Sequence, residues 1–166
     1  AIAYFRIPMY EEAILAINSL LKDYPNDPYF LELKGQIYAE NGKIENAIFA
    51  YKKSLEQTVE PAPLIMLALA NMLLEKKNSK NSYIEAKSLL EKTIFLEPRN
   101  ILAWHLKGIT HSKLNEINLA DLSAAEEYLL RNEFKRSKYF ANKVLENSTS
   151  GSPQSIRALD ILNIVN

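Results

Sequence analysis

The stretch Leu31-Glu-Leu-Lys34-Gly35-Gln-Ile-Tyr38, followed after a polar break by Ala47-Ile-Phe-Ala-Tyr51, decides how this chain reads. Residues three and four apart share a helix face, so the spacing places Gly35 beside Leu31 and Tyr38 on one helix. Ala47 and Tyr51 share a face of a second helix in the same way. Two helices approach closely only where the crossing residues are small, and bulky neighbours then fill the space around the crossing. Glu40-Asn41-Gly42-Lys43 supplies the turn that joins them.

The pattern recurs twice. Met66, Leu69, Ala70 and Leu73 precede Ala86 and Leu90, and Trp104, Lys107, Gly108 and His111 precede Ala120. Gly35, Ala70 and Gly108 are thus the expected crossing points of three helix pairs. Ala13 and Ala47 are 34 positions apart, as are Ala86 and Ala120, whereas Ala47 and Ala86 are 39 apart. Leu31 to Trp104 and Pro25 to Pro98 both span 73 positions, which is one period with the insertion and one without it. The polar run Asn78-Ser-Lys-Asn-Ser82 is the expected place for the extra residues.

A 34-residue period with these residue types resembles the tetratricopeptide repeat, or TPR. The resemblance implies an all-α, right-handed superhelical solenoid of antiparallel helix pairs. It divides the chain into a truncated repeat (1–27), a full repeat (28–61) and a repeat with the insertion near 78–82 (63–100). Degenerate repeats sharing the helix 117–131 follow (101–150), then a capping helix (153–165). Residues 1–7, with Ala1, Tyr4 and Phe5, read as the end of a helix whose start is missing, so upstream sequence is expected. The predicted helices are 9–23, 28–40, 44–57, 62–76, 82–96, 101–114, 117–131, 134–147 and 153–164. Asp27-Pro28, Asn100-Ile101 and Ser152-Pro153 place capping side chains at three of their starts. In the last helix, Ile156, Leu159, Ile161 and Leu162 are expected inward, with Arg157 and Asp160 toward water.

Composition narrows the function. The chain has 166 residues, 48% of them hydrophobic and 24% charged, which suits a folded domain rather than a disordered one. Twenty basic residues balance twenty acidic ones, so no positive excess exists to draw the chain to nucleic acid. No apolar run reaches the roughly 20 residues that span a bilayer, so no membrane insertion is expected. The absence of cysteine excludes disulfides, thiolate metal sites and cysteine nucleophiles.

Several strings are more particular than the generic repeat. They are Pro28 to Gly42, Ala62-Pro-Leu-Ile65, Leu96-Glu-Pro-Arg-Asn-Ile-Leu-Ala-Trp104, Ala124-Ala-Glu-Glu-Tyr-Leu-Leu-Arg131, and Gly151-Ser-Pro153 with Arg157-Ala-Leu-Asp-Ile-Leu162. Together they resemble the C-terminal TPR region of BepA-like periplasmic zinc metallopeptidases. The resemblance covers almost the whole chain, although the insertion near 78–82 departs from that group's tighter turn. It implies a non-catalytic interaction domain in the cell envelope, docked on an upstream protease domain or engaging unfolded envelope proteins. It implies no cofactor in this chain. The alternative is a free-standing TPR adaptor for a protein or peptide ligand.

Catalysis within the chain finds little footing. Glu11-Glu12 and Glu126-Glu127 are adjacent on helices, so the members of each pair point about 100° apart. Both pairs are expected to be solvated. His105 and His111 are six apart, not the four that lets two imidazoles share a zinc on one helix. His111 stands where Tyr38 stands in the earlier repeat, and partial burial is expected.

Binding is better supported. The TPR register places Tyr29, Glu32, Gln36, Leu64, Leu67, Asn71, Leu102, His105 and Ile109 on a concave surface formed by the first helix of each pair. Leucine and isoleucine there point to an apolar groove for a peptide, or to one filled by the shared helix, the cap or a protease domain. A clamp for chaperone C-terminal carboxylates is disfavoured, because Leu64, Leu67 and Leu102 occupy positions that would need lysine or arginine.

Overall fold

The computed structural model describes residues 9–76 and 79–165, so Ala1, Tyr4, Phe5, Lys77 and Asn78 lie outside the described residues. The described residues form nine α-helices and no strand. These are α1 (Tyr10–Asp23), α2 (Pro28–Glu40), α3 (Ile44–Gln57), α4 (Pro63–Glu75), α5 (Lys80–Leu96), α6 (Ile101–Lys113), α7 (Ile117–Leu130), α8 (Phe134–Glu146) and α9 (Pro153–Val165). Each sequence-derived helix is present within two residues of its expected bounds. The largest difference is at α5, which starts at Lys80 rather than 82. Ser79 caps it by accepting from the Ser82 amide at 3.3 Å, so part of the expected polar loop is helix.

Start signals act as their chemistry predicts. Asp27 Oδ1 accepts from the amides of Tyr29 and Phe30 at 2.9 and 3.0 Å, and Asn100 Oδ1 accepts from Ala103 at 3.0 Å. Ser152 Oγ accepts from Ser155 at 3.3 Å. Each satisfies first-turn donors that have no partner inside the helix.

Three of the stop signals share one geometry. Gly42, Asn115 and Asn132 take left-handed φ values of 66°, 59° and 60°. At each, the next residue's amide reaches back to a carbonyl five residues earlier: Lys43 to Tyr38, Glu116 to His111 and Glu133 to Tyr128, all at 2.9 Å. This is the Schellman closure, and it turns the chain within three residues from α2 into α3, α6 into α7 and α7 into α8. Asparagine tolerates the left-handed region better than other residues with a side chain.

The chain divides into two compact units, residues 1–77 and 78–166. The first holds α1–α4. Ala13 and Ile17 of α1 pack with Ile37 of α2 in a fully buried cluster supported by Tyr10, Ile14, Leu21, Phe30 and Leu33. At the α2–α3 crossing, a Cβ on Gly35 would stand 2.7 Å from the Tyr51 ring. Only hydrogen fits there. Ser54 Oγ on α3 donates to the Pro28 carbonyl at 2.7 Å, tying α3 to the start of α2.

The second unit holds α5–α9. Ala125, Ala141, Val144, Ala158 and Ile161 form its buried cluster from α7, α8 and α9. Helix α7 packs against both α6 and α8, and Ser137 Oγ of α8 donates to the Ala125 carbonyl at 2.8 Å. Gly108 differs from Gly35: a Cβ there would meet Ser123 Cβ at 3.6 Å, an ordinary contact. The small residue at this crossing is therefore not required by space. Helices of 13 to 17 residues are marginal alone in water. Burial of side chains such as Ile17, Ile37 and Ile161, at about 1.5–3 kcal/mol each, holds them in place.

The cap departs from expectation. Ser155, Ala158 and Ile161 form the buried edge of α9, while Ile156 and Leu159 are about half exposed. Small Ser155 and Ala158 allow close approach, and Ile156 points about 140° from Ile161 around the helix. Arg157 is not simply turned to water but binds Glu126 on α7.

Candidate protein-interaction site

In the first unit the sequence-derived groove residues separate by burial. Tyr29 on α2 is 75% exposed and Leu64 on α4 is 69% exposed. Leu67 is 8% exposed and belongs to the core, not to an open surface. The cause is the composition of α4: Pro63-Leu-Ile-Met-Leu-Ala-Leu-Ala-Asn-Met-Leu-Leu-Glu75 is apolar nearly all round, and Ile65, Leu67, Leu69, Ala70, Met72, Leu73 and Leu74 are all buried. Such a helix is buried on most of its circumference. Asn71 is half-buried, and Gln36 is exposed with its amide 3.4 Å from Glu40.

Tyr29, Glu32 and Leu64 line a single cleft of about 470 Å³. The first turns of α2 and α4 and the loop Thr58-Val-Glu-Pro-Ala62 line it, with Val59 almost fully exposed. Asp27 and Pro28 start α2, and Pro61 and Pro63 frame the start of α4, so the cleft has stiff rims. Burial raises the Glu32 carboxyl above the usual range. The neighbouring Tyr51 phenol is pushed up to about 12, by burial first and then by the charges of Glu32 and Glu40.

In the second unit, His105 and Ile109 line a cavity of about 510 Å³ with Asp121, Glu127, Tyr128 and Phe140. Leu102 is half exposed and outside that lining. The cavity is more polar than expected. His105 Nδ1 lies 3.0 Å from Glu127 Oε2, and Arg131 reaches Glu127 Oε1 at 2.9 Å. Lys143 Nζ donates to Asp121 Oδ1 at 2.9 Å. Tyr128 and Phe140 stack with centroids 5.6 Å apart, with Arg136 over the first ring and Lys143 over the second. Sequence spacing offered no sign of Asp121, Lys143 or Phe140, because their neighbours come from other helices.

Glu126 and Glu127 overturn the expectation of a solvated face, since both are buried. Their divergence on the helix holds: Glu126 faces Arg157 on α9, and Glu127 faces His105 on α6. Neither is positioned to act with the other as an acid–base pair. Glu11 and Glu12 are exposed. His111 is buried, and its Nδ1 lies 2.6 Å from Glu116 Oε2, whose carboxylate also takes Lys87 Nζ at 2.9 and 3.0 Å. Burial lowers the His111 imidazole, and the Lys87 hydrogen bond leads the causes that lower the Glu116 carboxyl. These three groups join α5 to the end of α6 as a structural staple. Among the described residues, no three histidine, aspartate or glutamate side chains are grouped as a metal ion would need. Among the same residues, no helix is long and apolar enough to cross a membrane.

Comparison with known proteins agrees on architecture. No family model matches the chain, and no curated protein does. Among solved structures, one of MamA is similar over 98% of this chain and 84% of its own, at 18% identity and a TM-score of 0.75. Residues 41 to the end of MamA from Desulfovibrio magneticus RS-1 match over 98% and 87%, at 18% identity and a TM-score of 0.73. A thermophilic TPR protein of Thermus thermophilus matches over 98% and 95%, at 18% identity and a TM-score of 0.58. The fold is therefore all-helical and TPR-like.

Proposed function

We propose that the chain is a non-catalytic protein-interaction domain, with the cleft between the first turns of α2 and α4 as its ligand-facing surface. One observation carries this reading: Tyr29 and Leu64 stand exposed on two different helices yet face one cleft. Large apolar side chains grouped in a concavity, rather than scattered singly, mark interaction surfaces. The TPR-like fold supports a protein as the partner.

Benzoylphenylalanine in place of Tyr29 should cross-link a protein in source cells. That protein, once purified, should bind the chain, and Leu64→Asp should weaken binding at least tenfold with the circular dichroism spectrum unchanged. Binding that ignores Leu64→Asp and depends on Phe49, exposed elsewhere in the unit, would overturn the assignment.

A narrower reading makes the chain the TPR region of a BepA-like zinc metallopeptidase in the cell envelope, docking on the protease domain or engaging unfolded envelope proteins. Its support is the set of sequence strings, and none of the neighbouring structures named above is a protease by its description. Peptide mapping of the native gene product tests it. An H-E-x-x-H segment upstream, in a product fractionating with the envelope, supports the narrower reading; a product beginning close to Ala1 returns the chain to a free-standing adaptor.

A further inference from the structure

The α2–α4 cleft carries a sign of charge that the chain as a whole lacks. Among the described residues, Glu32 and Glu60 are the only charged ones in its lining, with no lysine, arginine or histidine, in a protein of zero net charge. Among the described residues, neither carboxylate has a hydrogen-bond or ion-pair partner. Two helix starts oppose this field, but weakly. The α2 start is already met by Asp27, and the uncapped start of α4 contributes about half a positive charge against two full negative ones. Glu32 is half-buried, and a carboxylate taken partly out of water without a cation is held at a cost that an incoming cation relieves. Around these acids the surface is apolar: Tyr29, Val59, Pro61 and Leu64.

We infer that the cleft takes an extended segment of a protein partner in which an apolar side chain adjoins a lysine or arginine. The apolar group lies against Tyr29, Pro61 and Leu64, and the cation turns toward Glu32 and Glu60. The inference rests on the interaction reading above and adds the chemistry of its ligand.

The test uses two fluorescein-tagged peptides, Gly-Lys-Phe-Leu-Lys-Ser-Gly and its counterpart with glutamate in place of both lysines, titrated by anisotropy into the purified chain at low and moderate salt. The lysine peptide should bind at least tenfold more tightly, and added salt should narrow the gap. Glu32→Gln with Glu60→Gln should bring the two peptides together, and Leu64→Ser, which removes the apolar contact without adding a charge, should weaken the lysine peptide. Circular dichroism confirms that each variant is folded. Equal binding of both peptides that is lost in Leu64→Ser would overturn the charge preference while leaving the interaction site standing. Failure of both peptides, with sedimentation showing a dimer that Leu64→Asp dissociates, would make a second copy the occupant and overturn the inference. Failure of both with a monomeric chain would overturn it too, and the cross-linking experiment then decides the broader reading on its own.

Discussion

Arg157 on α9 holds Glu126 on α7 by two parallel hydrogen bonds, Nε to Oε1 at 2.5 Å and Nη2 to Oε2 at 2.9 Å. The Glu126 side chain is almost wholly buried, whereas the Arg157 side chain keeps 43% of its surface exposed. Removing the arginine therefore strands a buried charge, while removing the acid leaves a cation that can rehydrate.

Arg157→Ala should lower stability by about 1.5–3 kcal/mol, the range for hydrogen bonds to charged groups, read as a shift in urea midpoint. Glu126→Gln should cost less. Replacing both residues with leucine should recover most of the loss, because a buried pair contributes little beyond an apolar contact. A double variant as unstable as Arg157→Ala alone would show that α9 needs the ion pair for its position.

Gly35 and Gly108 should respond in opposite directions. Gly35→Ala drives a methyl into the Tyr51 ring, with a predicted loss of about 1–3 kcal/mol. Gly108→Ala finds room beside Ser123 and should gain about 0.5–1 kcal/mol from reduced backbone freedom in the unfolded chain. Thermal unfolding of the two variants decides it, and equal losses would show that space is required at both crossings.

The two asparagine turns give a third test. Asn115→Ala and Asn132→Ala should each destabilise by about 1 kcal/mol, since alanine pays the left-handed penalty without the asparagine side chain's compensation. Asn→Gly at either site should be neutral or better. If glycine is as harmful as alanine, the side chains and not the backbone geometry carry the turns.

Acidification should weaken the second unit. Burial depresses the His111 pKa in the folded state, so the unfolded chain takes up the proton first as pH falls. Its contribution is fully present above the unfolded value of about 6.5 and declines as pH falls below it. Glu116 acts in the same direction lower down, its depressed pKa adding stability above the unfolded value of about 4.5 that is lost as pH falls through the folded one. Melting temperatures from pH 7.5 to 5, measured with His105→Gln present to remove the other histidine, should fall in the parent and stay flatter in His111→Gln. A parallel decline in both would place the sensitivity elsewhere.

Most of the architecture was legible because each signal was local. Asp27, Asn100 and Ser152 meet donors within three residues, and Gly42 turns the chain by its own φ, so sequence spacing alone located those boundaries. The helix pairing was legible for a related reason, since a repeated small residue at a fixed period marks a recurring crossing, and Gly35 against Tyr51 is that crossing in atoms. Burial on an individual helix was less accessible. Leu67 and Leu64 are three residues apart with the same side chain, yet one is core and the other is surface, because neighbouring helices cover α4 unequally. Glu126 and Glu127 look like a solvated acidic pair in sequence, but their partners Arg157 and His105 lie 31 and 22 positions away. Hydrophobic period, caps and turn residues determined the helices and their order, because those forces act within a few residues along the chain. Which charges are buried and which apolar side chains remain open was decided only when α3 met α4 and α7 met α6, α8 and α9, because burial depends on what lies beside a residue in space.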